Sequence, residues 1–194
     1  MKKLYLLIAT ALLFGISQSF AQVDRDKVIV EIATGTWCQY CPGSAMGADD
    51  LIENGHDVAV IEYHSGDEYQ NSSSSARINY YNVSGFPTAY FDGLLSVVGG
   101  SGTQSMYPQY LSKYNQRIGV DSPFTIDISG ENYGLTDFEA SVTVEKVAAY
   151  NASNLKLHFV LTESHIQESW QGMDELNFVE RLMLPNSNGT SIDF

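Results

Sequence analysis

Cys38 and Cys41 are the only two cysteines of the chain, and their spacing sets the chemistry it can do. The pair lies between a β-branched run, Val28 to Ala33, and a stretch with helical apolar spacing. At such a junction the first cysteine meets the unpaired N–H groups and the positive end of a helix, which stabilise a thiolate. Cys38 can then attack a partner disulfide, and Cys41, a turn further on and more buried, can resolve the mixed disulfide. Run backwards, the same pair oxidises a dithiol. Three other readings stand beside this one. A metal site needs two more ligands, and His56, His64, His158 and His165 show no paired ligand spacing. A purely structural disulfide closes a very small loop and removes little unfolded-chain entropy. Two unrelated buried thiols fit an exported chain poorly. Context favours redox chemistry, which requires one sulfur to be presented, ionisable and reachable at the mouth of a groove.

The elements that must hold this pair are legible as periodicities. Val28 to Ala33 reads as a buried strand. From about Cys38 to Asn54, Ala45, Ala48, Leu51 and Ile52 share one helix face, with Pro42 tolerated in the first turn and Gly55 ending the helix. Asp57 to Tyr63 is a second apolar strand, residues 65–75 read as an exposed polar loop, and Ala76 to Asn82 as a short helix. Gly85-Phe86-Pro87 precedes a strand, Thr88 to Phe91, then a turn at Asp92-Gly93 and a return strand, Leu94 to Val98. Tyr107, Tyr110, Leu111, Tyr114 and Ile118 place an amphipathic helix over Met106 to Ile118, closed by Gly119. A strand–helix–strand unit demands a parallel pair, and the hairpin adds an antiparallel edge. Beyond Pro123 the period changes to two, over Phe124 to Ser129, Phe138 to Ala148 and Leu155 to Thr162. This predicts an antiparallel sandwich-like module, with too few strands to cover its edges before the chain stops inside it.

Composition sets the compartment and excludes classes. The chain has 194 residues, 44% hydrophobic and 17% charged, enough for a packed core. Lys and Arg number 10 against 23 Asp and Glu, a net charge of −13, and no cationic cluster suits a nucleic-acid partner. Lys2-Lys3, the largely apolar run Leu4 to Ile16, and small residues at Ser19 and Ala21 form the three-part pattern of a secretory signal peptide. That run is short for a membrane span. The expectation is an acidic exported protein, in a periplasm, at an outer membrane or outside the cell, with no transmembrane segment after leader cleavage.

Trp37-Cys38-Gln39-Tyr40-Cys41-Pro42 after a strand, with Gly85-Phe86-Pro87-Thr88 before a hairpin, resembles the thioredoxin superfamily over roughly residues 25–118. More narrowly, Thr34-Gly35-Thr36-Trp37-Cys38, Tyr63-His64, Phe86-Pro87-Thr88 and Phe91-Asp92-Gly93, with a β-rich tail, look like the exported thioredoxin-like outer-membrane-protein-related family of the Bacteroidota. The expected organisation is a signal peptide over 1–21, an α/β thioredoxin-like domain over 22–119, and an incomplete antiparallel β-sandwich-like module over 120–194. The resemblance implies Cys38 as nucleophile and Cys41 as resolving thiol. It also implies Trp37 packed beside them, and Pro87 as a cis-proline facing the disulfide, leaving the Phe86 backbone free to pair with a substrate strand.

Two departures bear on tuning. Thioredoxins carry a buried acid in the strand before the active site; here Ile32 stands at that position and Glu31 is the nearest candidate. The dipeptide Gln39-Tyr40 has neither Pro nor His, which argues for a reductase or isomerase-like poise over an extreme oxidant. Glu31, Tyr40 and His64, the last at the end of the second strand, are the candidate tuning residues. The expected function is thiol–disulfide exchange with exported proteins and an unidentified redox partner, with no metal and no cofactor beyond the cysteine pair. The alternative is a non-catalytic surface or binding module with a resting disulfide.

Overall fold

The computed structural model describes residues 21–134 and 138–194. All of the expected leader except Ala21 lies outside them. The chain order begins β1 (Val28–Thr34), α1 (Cys41–Glu53), β2 (Val58–His64), α2 (Ser72–Tyr80), β3 (Thr88–Phe91), β4 (Leu95–Val98) and α3 (Tyr107–Ile118). It continues with β5 (Phe124–Asn132), β6 (Phe138–Lys146), β7 (Lys156–Leu157), β8 (Phe159–Glu163), β9 (Ile166–Trp170), β10 (Met173–Leu176), β11 (Val179–Leu184) and β12 (Thr190–Ser191). Six strands form one mixed sheet in the order β4-β3-β1-β2-β11-β8. β1 and β2 are parallel, Val28 opposite Val58 through Thr34 opposite His64, as a crossover through α1 requires.

Strand alternation splits this sheet into two faces. Val28, Val30 and Ile32 of β1 join Val58 and Val60 of β2 and Ala89 and Phe91 of β3 in the main core. Ala48 and Leu51 of α1 and Tyr110 and Tyr114 of α3 close it from above. Glu31 points to the opposite face, where α2 lies. There its Oε1 accepts from Arg77 Nη2 at 2.6 Å and from Tyr63 Oη at 3.1 Å, and its Oε2 accepts from Tyr81 Oη. α2 starts earlier than its apolar spacing indicated, because Asn71 caps it. Asn71 Oδ1 accepts from the N–H groups of Ser73 and Ser74, and Ser74 Oγ returns a bond to the Asn71 N–H. The run of serines at 72–75, read as loop from its polarity, is therefore helical.

The C-terminal stretch departs most from its reading. Instead of a sandwich of two face-packed sheets, β8 and β11 add to the central sheet beside β2. The remaining strands form three two-stranded pairs, β5 with β6, β9 with β10 and β7 with β12. The alternation over Leu155 to Thr162 is broken at His158, which separates β7 from β8. Val179 and Met183 of β11 are buried, so this strand is interior to the fold. No helix among the described residues is long and apolar enough to cross a membrane.

Candidate functional site

β1 and α1 meet at Thr34–Cys41, and the turn between them carries the cysteines. Cys38 N donates to Gly35 O at 3.0 Å, and Cys41 N to Cys38 O at 3.2 Å, so Cys38 lies in a tight turn just ahead of the helix N-cap, Tyr40. The two cysteines form a disulfide with a Cα–Cα separation of 5.4 Å. Pro42 occupies the first turn of α1, and no side chain caps that end. Trp37 precedes the pair and Tyr40 lies between its two members, each 53% exposed. The Trp37 indole donates to Ser65 O at 2.6 Å and meets the Phe86 ring edge-on, centroids 5.6 Å apart. A Cβ on Gly66 would sit 2.8 Å from that indole nitrogen, so only glycine leaves room for the ring to lie there.

Phe86 packs against the cluster that holds both cysteines, and the Phe86–Pro87 peptide bond is cis. Pro87 O accepts from Gly99 N at 2.8 Å. A Cβ on Gly100 would collide with Tyr40 O and sit 2.8 Å from Pro87 Cγ, so the glycine-rich break after β4 is what lets this loop press between the two. The structure thus brings together Trp37, Cys38, Tyr40, Cys41, Phe86 and Pro87, which lie in separate parts of the sequence.

Glu31 is not brought to the cysteines. It belongs to the Arg77–Tyr63–Tyr81 network across the sheet. His64 is 1% exposed, and reaches the active-site turn indirectly. Its Nδ1 donates to Asp67 Oδ2 at 2.7 Å, and the same oxygen accepts from Thr36 N at 2.8 Å. Its Nε2 lies 3.8 Å from Glu62 Oε2, an ion-pair distance too long for a hydrogen bond. Burial alone would lower the pKa of His64, but the Asp67 bond and the two carboxylates outweigh it and raise it to about 9. Burial likewise works against ionised Asp67, yet the His64 and Thr36 bonds hold its carboxyl below the usual range. Asp67 is a positioning residue that the polarity of the 65–75 loop did not single out. Glu62 is paired across from Ile32, so a buried carboxylate stands one strand over from the position where an acid was expected.

The expectation that one sulfur is presented to solvent is not met. Cys38 is 4% exposed and Cys41 0%. The cause is β9–β10, whose Trp170, Met173 and Leu176 pack over the cysteines together with Tyr69, Phe86 and Val179. Nothing in the sequence reading of residues 163–194 marked this hairpin, because its turn, Gln171-Gly172, lacks the usual Asn-Gly or Asp-Gly signal.

Fold and site together define a mixed α/β protein with a Cys-x-x-Cys disulfide at a strand-to-helix junction. The fold is similar to HBP35 of Porphyromonas gingivalis, with a TM-score of 0.67 over 89% of this chain at 17% identity. The chain spans 61% of the length of that structure. No protein-family model and no curated protein matches the chain.

Proposed function

We propose that the chain is an exported thiol–disulfide oxidoreductase with a thioredoxin-like core, acting through Cys38 and Cys41. The observation that carries this reading is the disulfide itself, closed between the turn after β1 and the first residue of α1, with Phe86, which precedes the cis bond to Pro87, packed against the cluster that holds it. Cys38 is the less buried of the two cysteines and takes the attack. A substrate thiolate bonds to Cys38 Sγ, the Cys38–Cys41 bond breaks, and Cys41 leaves as a thiolate that takes up a proton. A second substrate thiolate then displaces Cys38, so two electrons pass from the substrate dithiol to the pair and the substrate leaves oxidised. In the opposite direction the reduced pair cleaves a substrate disulfide, and the positive end of α1 favours the Cys38 thiolate. Export rests on the leader pattern, and the chemistry belongs to the α/β core over 22–119, whose central sheet takes in β8 and β11 of the β-rich stretch over 120–194. Exported protein thiols are the substrates.

The test is insulin reduction and reoxidation of a reduced, scrambled substrate, with Cys38→Ser as control. Wild-type turnover well above the variant supports the reading, and equal rates overturn it. The covered disulfide favours a second reading, a binding module with a resting disulfide. A Cys41→Ala variant that traps no mixed disulfide in cells would favour that one.

A further inference from the structure

β9 and β10 are the far end of a longer hairpin. Val179 of β11 pairs with Glu163 of β8, and Leu176 of β10 pairs with Ile166 of β9 in the same register. Between the two halves the ribbon turns a corner at Ser164–His165 and Asn177–Phe178. His165 and Phe178 have φ of 61° and 59°, the left-handed region that non-glycine residues adopt only at a cost. Below the corner the strands belong to the central sheet, while above it β9–β10 pair only with each other among the described residues. A two-stranded hairpin standing alone is marginally stable, so this half opens at a lower free energy than the sheet that anchors it.

The distal half lies on the disulfide. Trp170 is buried with Cys38 and Cys41, and its Nε1 donates to Glu175 O at 3.0 Å, so the indole is satisfied within the hairpin and needs no partner below. Gln171 Nε2 reaches Thr36 O at 3.3 Å and Trp37 O at 3.4 Å, two long and weak bonds to the active-site turn. Tyr69 Oη donates to Glu168 Oε2 at 3.3 Å. Apolar packing and three long hydrogen bonds thus hold the hairpin tip down, with no ion pair among them.

The geometry points to β9–β10 as a hinged flap that occupies the exchange groove over Cys38–Cys41 and must lift at the 164–165 and 177–178 corner before a thiol can reach Cys38. This rests on the oxidoreductase reading. The flap makes every exchange rate proportional to the fraction of molecules in which it is open. Lifting it also frees the faces of Phe86, Tyr69 and the cysteine turn for a substrate chain.

The experiment follows reduction of Cys38–Cys41 by dithiothreitol and by reduced bacterial thioredoxin, read by thiol alkylation and mass. It compares wild type with Gln171→Ala and Trp170→Ala. Gln171→Ala removes only the two long bonds and is expected to speed reduction about threefold with an unchanged melting temperature. Trp170→Ala removes the packed lid and is expected to speed it at least about tenfold. Rates within twofold of wild type in both variants overturn the flap and leave the oxidoreductase reading standing. If Trp170→Ala stays unreduced by both probes, while the same protein in guanidinium is reduced, the native disulfide is inert and both readings fall.

Discussion

His64 carries a proton that a free imidazole would have shed. Its folded pKa of about 9 lies above the ordinary 6.5, because Asp67 and Glu62 stabilise the cation against burial. A raised histidine contributes stability that is fully present below about pH 6.5 and is lost as pH climbs through about 9. The shift corresponds to a ceiling of about 3 kcal/mol. Urea unfolding of the wild type should therefore show falling stability across that window, and His64→Gln should be weaker at the acid end and flat across it. The cysteine pair was legible from its own spacing, and the cis bond at Pro87 only through the family resemblance. The role of His64 was not, because it depends on Asp67 turning back to hold Thr36 N, a contact across 31 residues.

At the scale of elements, α2 is docked onto the sheet by a charge pair more than by apolar contact. Arg77 forks onto Glu31 Oε1 through Nε and Nη2 at 3.1 and 2.6 Å, with both side chains mostly buried. Removing one partner leaves an uncompensated buried charge, a loss of about 3–5 kcal/mol. Arg77→Met should cost that much in chemical denaturation, and the double variant Glu31→Gln with Arg77→Met should recover a large part of it. Asn71→Ala is milder, at about 1 kcal/mol for the lost cap. Its Nδ2 also bonds Glu180 Oε2 of β11 at 2.8 Å, which adds to that loss. α1 and α3 could be read from their apolar spacing, except that Ile52, placed on one face with Ala48 and Leu51, is exposed. α2 could not, since its stability comes from a capping asparagine and a charge partner on β1, neither of which leaves an apolar period. β9–β10 was hidden for another reason: burial alternates along β9, but Glu168 stands between Ile166 and Trp170 on the inward face, so no apolar alternation is left in the sequence.

For the whole molecule, the change of period at Pro123 suggested a boundary, and the six-stranded sheet crosses it. β11 runs parallel to β2 through Val179 opposite Glu62, and Glu62 N donates to Phe178 O at 2.8 Å. β5–β6 stands differently. Its base is pinched where Pro123 O accepts from Val147 N at 2.9 Å and Ala148 N at 3.2 Å. Its ties to the rest are modest, with Phe124 against the rings of Tyr150 and Phe194, and Lys146 Nζ donating to Phe194 O at 3.4 Å. Two deletions then separate the cooperative unit from its appendage. Joining Pro123 to Val147 by a short glycine turn removes β5–β6 and should move the melting temperature by no more than about 5 °C. Ending the chain after Ser122 removes both halves of the bent hairpin, uncovers the outer edge of β2 and strips the lid from the disulfide. That protein should lose its cooperative melt, because Trp170, Leu176, Val179 and Met183 are buried core contributed from beyond the apparent boundary. Calorimetry on the two deletions decides the matter: a sharp transition after the second would mean that residues 22–119 stand alone, and that the C-terminal strands only lean on them.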